Sequence, residues 1–256
     1  PNPASTPANP NPAAGVDTPW LRDGGDIRIS AGRDASALSN QWITDWLRRP
    51  RGTVAEARES GWWAFRPNFR QNVASFGGGA IDIAAGRDIN QLSAMSASSG
   101  RVSGNADSRQ LDVQGGGKLD VQAGRNLAGG EYLVARGQGR IQAAGVVGGA
   151  LPTQLYLMGE SSDADSRQAT LRVTALDGVN LQSVDNPTAL AQVVSRATGG
   201  GQIQNFSARG TSTASFYSYV DSTRLDVTAL SGDVVLGSRP ASKPGTLPGR
   251  DVNLIS

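Results

Sequence analysis

The chain has 256 residues, with 24 basic against 22 acidic side chains, a formal net charge of +2, and neither cysteine nor histidine. Without Cys and His there are no disulfides, no thiol catalysis, no zinc-thiolate sites and no Ser-His-Asp triad. The charges are scattered, so the sequence pI of 9.3 marks no nucleic-acid partner, and no apolar run approaches the ~18 residues of a membrane-spanning segment.

Residues 1–19 hold six prolines among Ala, Asn, Ser and Thr, the composition of a semi-extended linker. Residues 20–256 read as a single β-rich domain. Its first unit, G-G-D-I-R-I-S-A-G-R-D-A from Gly24, alternates apolar and polar residues and then breaks at Gly-Arg-Asp. That is strand followed by corner.

Residues 39–76 interrupt this pattern. They carry four of the five Trp, three of the five Phe and six Arg. Trp42, Ile43, Trp46 and Leu47 fall at helical spacing, Ser39 or Asn40 caps the start and Pro50 stops it, which predicts a short amphipathic helix. A second helix is expected over 54–59. Two readings of this aromatic, partly helical insertion stand side by side. Trp42, Trp46, Arg48, Arg49, Trp62, Trp63, Phe65, Arg66 and Phe69 suit a binding surface for sugar rings and acidic groups. The same aromatics suit, as the favoured reading, a cover over a sheet flank or open end, because clustered aromatics are more often core than site.

The strand-corner unit then returns as G-G-A-I-D-I-A-A-G-R-D-I-N from Gly78, as G-G-K-L-D-V-Q-A-G-R-N-L from Gly116 and as G-R-I-Q-A-A-G-V-V from Gly139. A variant with a later glycine follows at Leu171 and Leu225, a degenerate copy lies around Ile203, and G-R-D-V-N-L at Gly249 reads as a last half-unit. With Ile27, Ile81, Leu119, Ile141, Leu171, Ile203 and Leu225 as markers, the shortest spacing, found twice, is 22 residues. Units of that size cannot bury their own apolar face and must stack on neighbours. The expected fold is all-β, a parallel β-helix. Strands are also expected over 131–134 and 155–158, and a short helix over 189–196.

The residue after each marker points outward, which predicts a column of Arg28, Asp82, Asp120, Gln142, Arg172, Gln204 and Asp226. Paired carboxylates on such a face can cleave polysaccharides. Here Asp alternates with Arg and Gln at consensus positions, which reads as a solvated ladder. No catalytic, metal or cofactor-binding residues are assigned. The G-G-x-x-D pieces lack the strict nine-residue tandem of calcium-binding repeats.

The ordered repeats, together with W-W-A-F-R-P-N-F-R-Q-N-V-A-S-F-G-G-G, Y-L-V-A-R-G-Q-G-R-I-Q-A-A-G and F-Y-S-Y-V-D-S-T-R-L-D-V-T-A-L-S-G-D-V-V-L-G, resemble the filamentous haemagglutinin family of two-partner-secretion exoproteins. The resemblance covers about residues 20–256. It implies a right-handed parallel β-helix on the bacterial cell surface, exported through an outer-membrane TpsB-type transporter. Family members serve as adhesins, biofilm matrix or stalks for contact-dependent inhibition. A cell-surface glycan or protein receptor is the implied partner, with a carbohydrate-cleaving β-helix or a pure stalk as alternatives.

Overall fold

The structure, a computed structural model, describes residues 24–38, 47–48, 61–64, 69, 71–103, 110–159, 169–185, 193–197, 203–207 and 223–237. These residues are all-β, with no helix among them. Most of the strands belong to two curled sheets of parallel strands, and the proline-rich stretch 1–19 lies outside the described residues.

Six strands form the first sheet side by side: Ile27–Ala31, Ile81–Ala85, Leu119–Ala123, Gly137–Ala143, Ala169–Ala175 and Arg224–Ala229. Every pairing is parallel. Their alternation resolves into three inward columns. One is Ile27, Ile81, Leu119, Gly139, Leu171 and Leu225; the next is Ile29, Ile83, Val121, Ile141, Val173 and Val227; the third is alanine throughout, at 31, 85, 123, 143, 175 and 229. The middle members are almost fully buried and form one continuous apolar cluster.

Gly139 is the exception in its column. A Cβ there would meet Leu171 Cδ1 and Val134 Cγ2, each at 2.6 Å. These two side chains fill the space that the neighbouring Leu and Ile residues fill elsewhere.

After each corner the chain enters the second sheet. Ala35–Ser36, Ile89–Asn90, Leu127–Ala128, Val146–Val147 and the start of Gly178–Asp185 stack in parallel, and Val234–Leu236 pairs with the last of these. The later part of Gly178–Asp185 pairs with Thr153–Leu157, which continues through Glu131–Val134 and Ala94–Ser96 to Val73–Ser75. The inward residues of this part, Ala94, Tyr132 and Leu155, join the same core.

Two antiparallel elements complete the described chain. Gln110–Gly115 pairs with Ser98–Ser103, which pairs with Gly61–Ala64, which pairs with Leu47–Arg48. The predicted helix therefore fails at its end, since Leu47 lies in a strand opposite Ala64; the rest of it, and the helix expected over 54–59, lie outside the described residues. The helix expected over 189–196 is likewise corrected: Val193–Ala197 is a strand antiparallel to Ile203–Ser207. Two adjacent β-branched valines and an available partner strand outweigh weak helical spacing.

Candidate functional site

Register settles which charged side chains meet on the outer face of the first sheet. The outward column runs Arg28, Asp82, Asp120, Arg140, Arg172 and Asp226. This corrects the sequence expectation at two places. Ile141 lies beside Val121 and Val173, so Arg140 replaces Gln142 in the column. Gln204 is not in this sheet at all, because its strand pairs with Val193–Ala197.

Asp82 and Asp120 are like charges on adjacent strands, and Lys118 neutralises both. Its Nζ lies 3.2 Å from Asp82 Oδ1 and 3.1 Å from Asp120 Oδ2. Asp120 also accepts from Arg140 Nε at 3.1 Å and from Gln122 Nε2 at 3.1 Å. Burial pushes the Asp120 carboxyl up, but the donors Arg140, Gln122 and Lys118 together hold it below the ordinary carboxylate value. The shift keeps Asp120 ionised, the state of an ion-pair partner and not of the proton-donating carboxyl of a glycoside-cleaving pair. Farther along, Asp226 receives Arg224 Nε at 2.8 Å and faces Arg172 at 3.9 Å.

Lys118, Asp120, Arg140, Arg172, Arg224 and Asp226 line an open groove of about 600 Å³ across the outer face, shared with Gln138, Gly139 and Thr170. Strand neighbours are about 4.8 Å apart, so the groove offers amide, hydroxyl and charged groups at a regular interval. That arrangement suits weak, repeated polar contacts.

The corner carries a second ion pair. Arg125 donates from Nε to Asp88 Oδ1 at 2.8 Å and from its terminal nitrogen to Oδ2, while the Asn126 amide donates to the same carboxylate. The Arg125 hydrogen bond is the main reason that the Asp88 carboxyl falls to about 2 from its ordinary 3.8. A depressed carboxyl stabilises the fold above its unfolded value, and that contribution is lost as pH falls through the folded one. The thermal midpoint should thus hold steady down to about pH 4 and drop between about pH 4 and 2. Asp88→Asn should flatten part of that drop; an unchanged acid profile in the variant would refute the assignment.

Sequence reasoning missed a buried polar group on the second sheet. Glu131, 2% exposed, accepts from Gln71 Nε2 at 3.2 Å and from the Tyr156 hydroxyl at 3.4 Å. It borders a pocket of about 210 Å³ with Gln91, Leu151, Pro152 and Gln154. The available signal was an acidic residue opening the otherwise apolar strand E-Y-L-V. Among the described residues no group of three or more acidic side chains could hold a metal ion, and no helix is long and apolar enough to cross a membrane.

Of the aromatic and basic residues proposed for binding, Trp42, Trp46, Arg49, Phe65 and Arg66 lie outside the described residues. Backbone pairing sets Arg48 opposite Trp63 and Trp62 opposite Gly100. Phe69 meets Phe76 edge-to-face, with ring centroids 5.2 Å apart at 81°. Within 39–76, Gly61–Ala64 is thus joined by main-chain hydrogen bonds to Ser98–Ser103, which pairs in turn with Gln110–Gly115. Comparison with protein-family models, with curated proteins and with solved structures yields no match, so no activity is carried over from a relative.

Proposed function

We propose that this chain is a segment of right-handed parallel β-helix from a bacterial surface exoprotein of the filamentous haemagglutinin type, acting without catalysis as an adhesive rod. The observation that carries this reading is the ladder of six in-register parallel strands, with the same inward residue classes repeated from strand to strand. Such stacking builds length by repetition. Right-handedness follows the strong chiral preference of parallel crossovers. The outer groove and the aromatic, arginine-rich segment 39–76 supply binding surface for a cell-surface glycan or protein receptor, through many weak contacts acting together. A chain without cysteine also passes unfolded through an outer-membrane pore without crosslinks to open.

The test is retention of the full chain on immobilised bacterial and host polysaccharides, with reducing ends assayed in the same samples. Retention without new reducing ends is the expected result. Trp62→Ala should lower retention by roughly tenfold, the loss of a single aromatic contact. Release of reducing ends, abolished in Asp120→Asn, would overturn the non-catalytic reading. No retention on any glycan would leave the chain a stalk.

A further inference from the structure

Two like-charge pairs stand on the outer face of the first sheet, and the chain bridges only one of them from within. Asp82 and Asp120 lie opposite each other on adjacent strands, and Lys118 binds both. Arg140 and Arg172 also lie opposite each other, and among the described residues no carboxylate bridges them. Their strands are interior to the sheet, with a described strand on either side. Asp120 holds Arg140 from one side. The Arg172 side chain is 67% exposed, and its partner Asp226 stands 3.9 Å away, while Arg224 holds that same carboxylate at 2.8 Å. Like charges directly opposite on neighbouring strands destabilise a sheet. An anion between the two guanidinium groups would relieve that repulsion.

The surroundings of the pair decide what kind of anion fits. Across the strands the outward row reads Asp120, Arg140, Arg172, Asp226, so a carboxylate bounds the two cations on each side, in steps of about 5 Å. Along the strands the neighbours on the same face are neutral. Gln138 and Thr170 precede the pair and Gln142 and Thr174 follow it, each about 7 Å along the strand. Both arginines, Gln138 and Thr170 line the open groove.

We infer that, given the adhesive rod proposed above, this patch is a subsite for one sugar carboxylate of a polysaccharide in which acidic and neutral sugars alternate. The carboxylate sits between Arg140 and Arg172, whose planar guanidinium groups suit its two oxygens. The neutral sugars on either side run along the strands, over amide and hydroxyl groups that can both donate to and accept from sugar hydroxyls. A polymer with an acid on every sugar fits worse. Laid along the strands, it finds no cation for its next charge; laid across them, it sets that charge over Asp120 or Asp226. Like-charge juxtaposition of this kind selects against the wrong partner.

Calorimetric titration of the full chain with oligosaccharides of equal length tests the subsite, at low ionic strength where surface charge is least screened. Fragments of hyaluronan from a host and of heparosan from a bacterium both alternate glucuronate with N-acetylglucosamine. They should bind, and the tighter of the two names the source. Oligogalacturonate, acidic on every sugar, should bind roughly tenfold more weakly, and neutral dextran fragments should not bind. Arg172→Gln should weaken binding of the alternating fragments by roughly tenfold or more. Arg28→Gln, on the same outer face but outside the groove, should leave it unchanged. Asp226→Asn should narrow the gap between oligogalacturonate and the alternating fragments, because one flanking carboxylate is gone. Binding that Arg172→Gln leaves intact overturns the inference, as does oligogalacturonate that binds as tightly as the alternating fragments. Failure of both alternating fragments, with the chain still retained on another glycan, overturns the subsite and spares the adhesive reading; no retention on any glycan overturns both.

Discussion

Gly86→Val should cost about 3 kcal/mol or more, at the upper end of overpacking effects, read as a lowered urea midpoint with unchanged slope. Gly86 donates its amide to Ala31 O at 2.9 Å, and Gly124 donates to Ala85 O at 2.9 Å. Consecutive corners therefore touch through main chain. A Cβ on Gly86 would press into the Gly32 carbonyl oxygen, and one on Gly124 into that of Gly86. Backbone cannot rotate aside as a side chain can, so relief requires separating two strands and stretching their hydrogen bonds. Against a total stability of about 5–15 kcal/mol, that is a large fraction. Gly32→Ala provides the contrast, since no atom lies within 4 Å of the added carbon. It should leave the midpoint of the isolated chain within about 0.5 kcal/mol. Equal losses at both positions would mean that the corner glycines are needed for conformation, not for close approach.

How far the fold is legible in the sequence depends on the kind of element. The parallel strands announce themselves because each carries its own period-2 pattern and its own corner. Where the marker residue changes type, register slips: Gly139 stands where Leu or Ile stands in other copies, so Ile141 is taken as the marker two residues late. The face is still right, but the column member is wrong, and Arg140 is hidden. The antiparallel strands leave no such local signature. Leu47 fits a helical stripe with Trp42, Ile43 and Trp46, yet its strand depends on Gly61–Ala64, which is distant in sequence. Val193–Ala197 likewise depends on Ile203–Ser207.

The charged site is half legible for the same reason. Alternation shows that Asp82, Asp120 and Asp226 face outward, but not who neutralises them. Lys118 reaches Asp82 over 36 residues and Arg140 reaches Asp120 over 20. Those distances are set by the insertions between strands, which no single repeat encodes. The direction of the Asp120 shift appears only once three donors converge on one carboxylate.

Tyr132→Ala should lower stability by about 3–5 kcal/mol, the range for deleting a large buried ring. Tyr132 is 0% exposed, lies between Ala94 and Leu155 in its column and belongs to the central apolar cluster. Tyr132→Phe separates packing from hydrogen bonding. The hydroxyl is buried with no partner among the described residues, and burial drives its pKa upward. An unsatisfied buried hydroxyl opposes folding, so its removal should be neutral or stabilising by about 1 kcal/mol. Urea unfolding of both variants decides the matter. A loss of about 1–3 kcal/mol in Tyr132→Phe would mean that the hydroxyl is bonded, and Tyr132 would then anchor this strand by a polar contact. The expected opposite signs place the whole contribution in the ring's contacts, the same apolar stacking that holds one strand layer on the next.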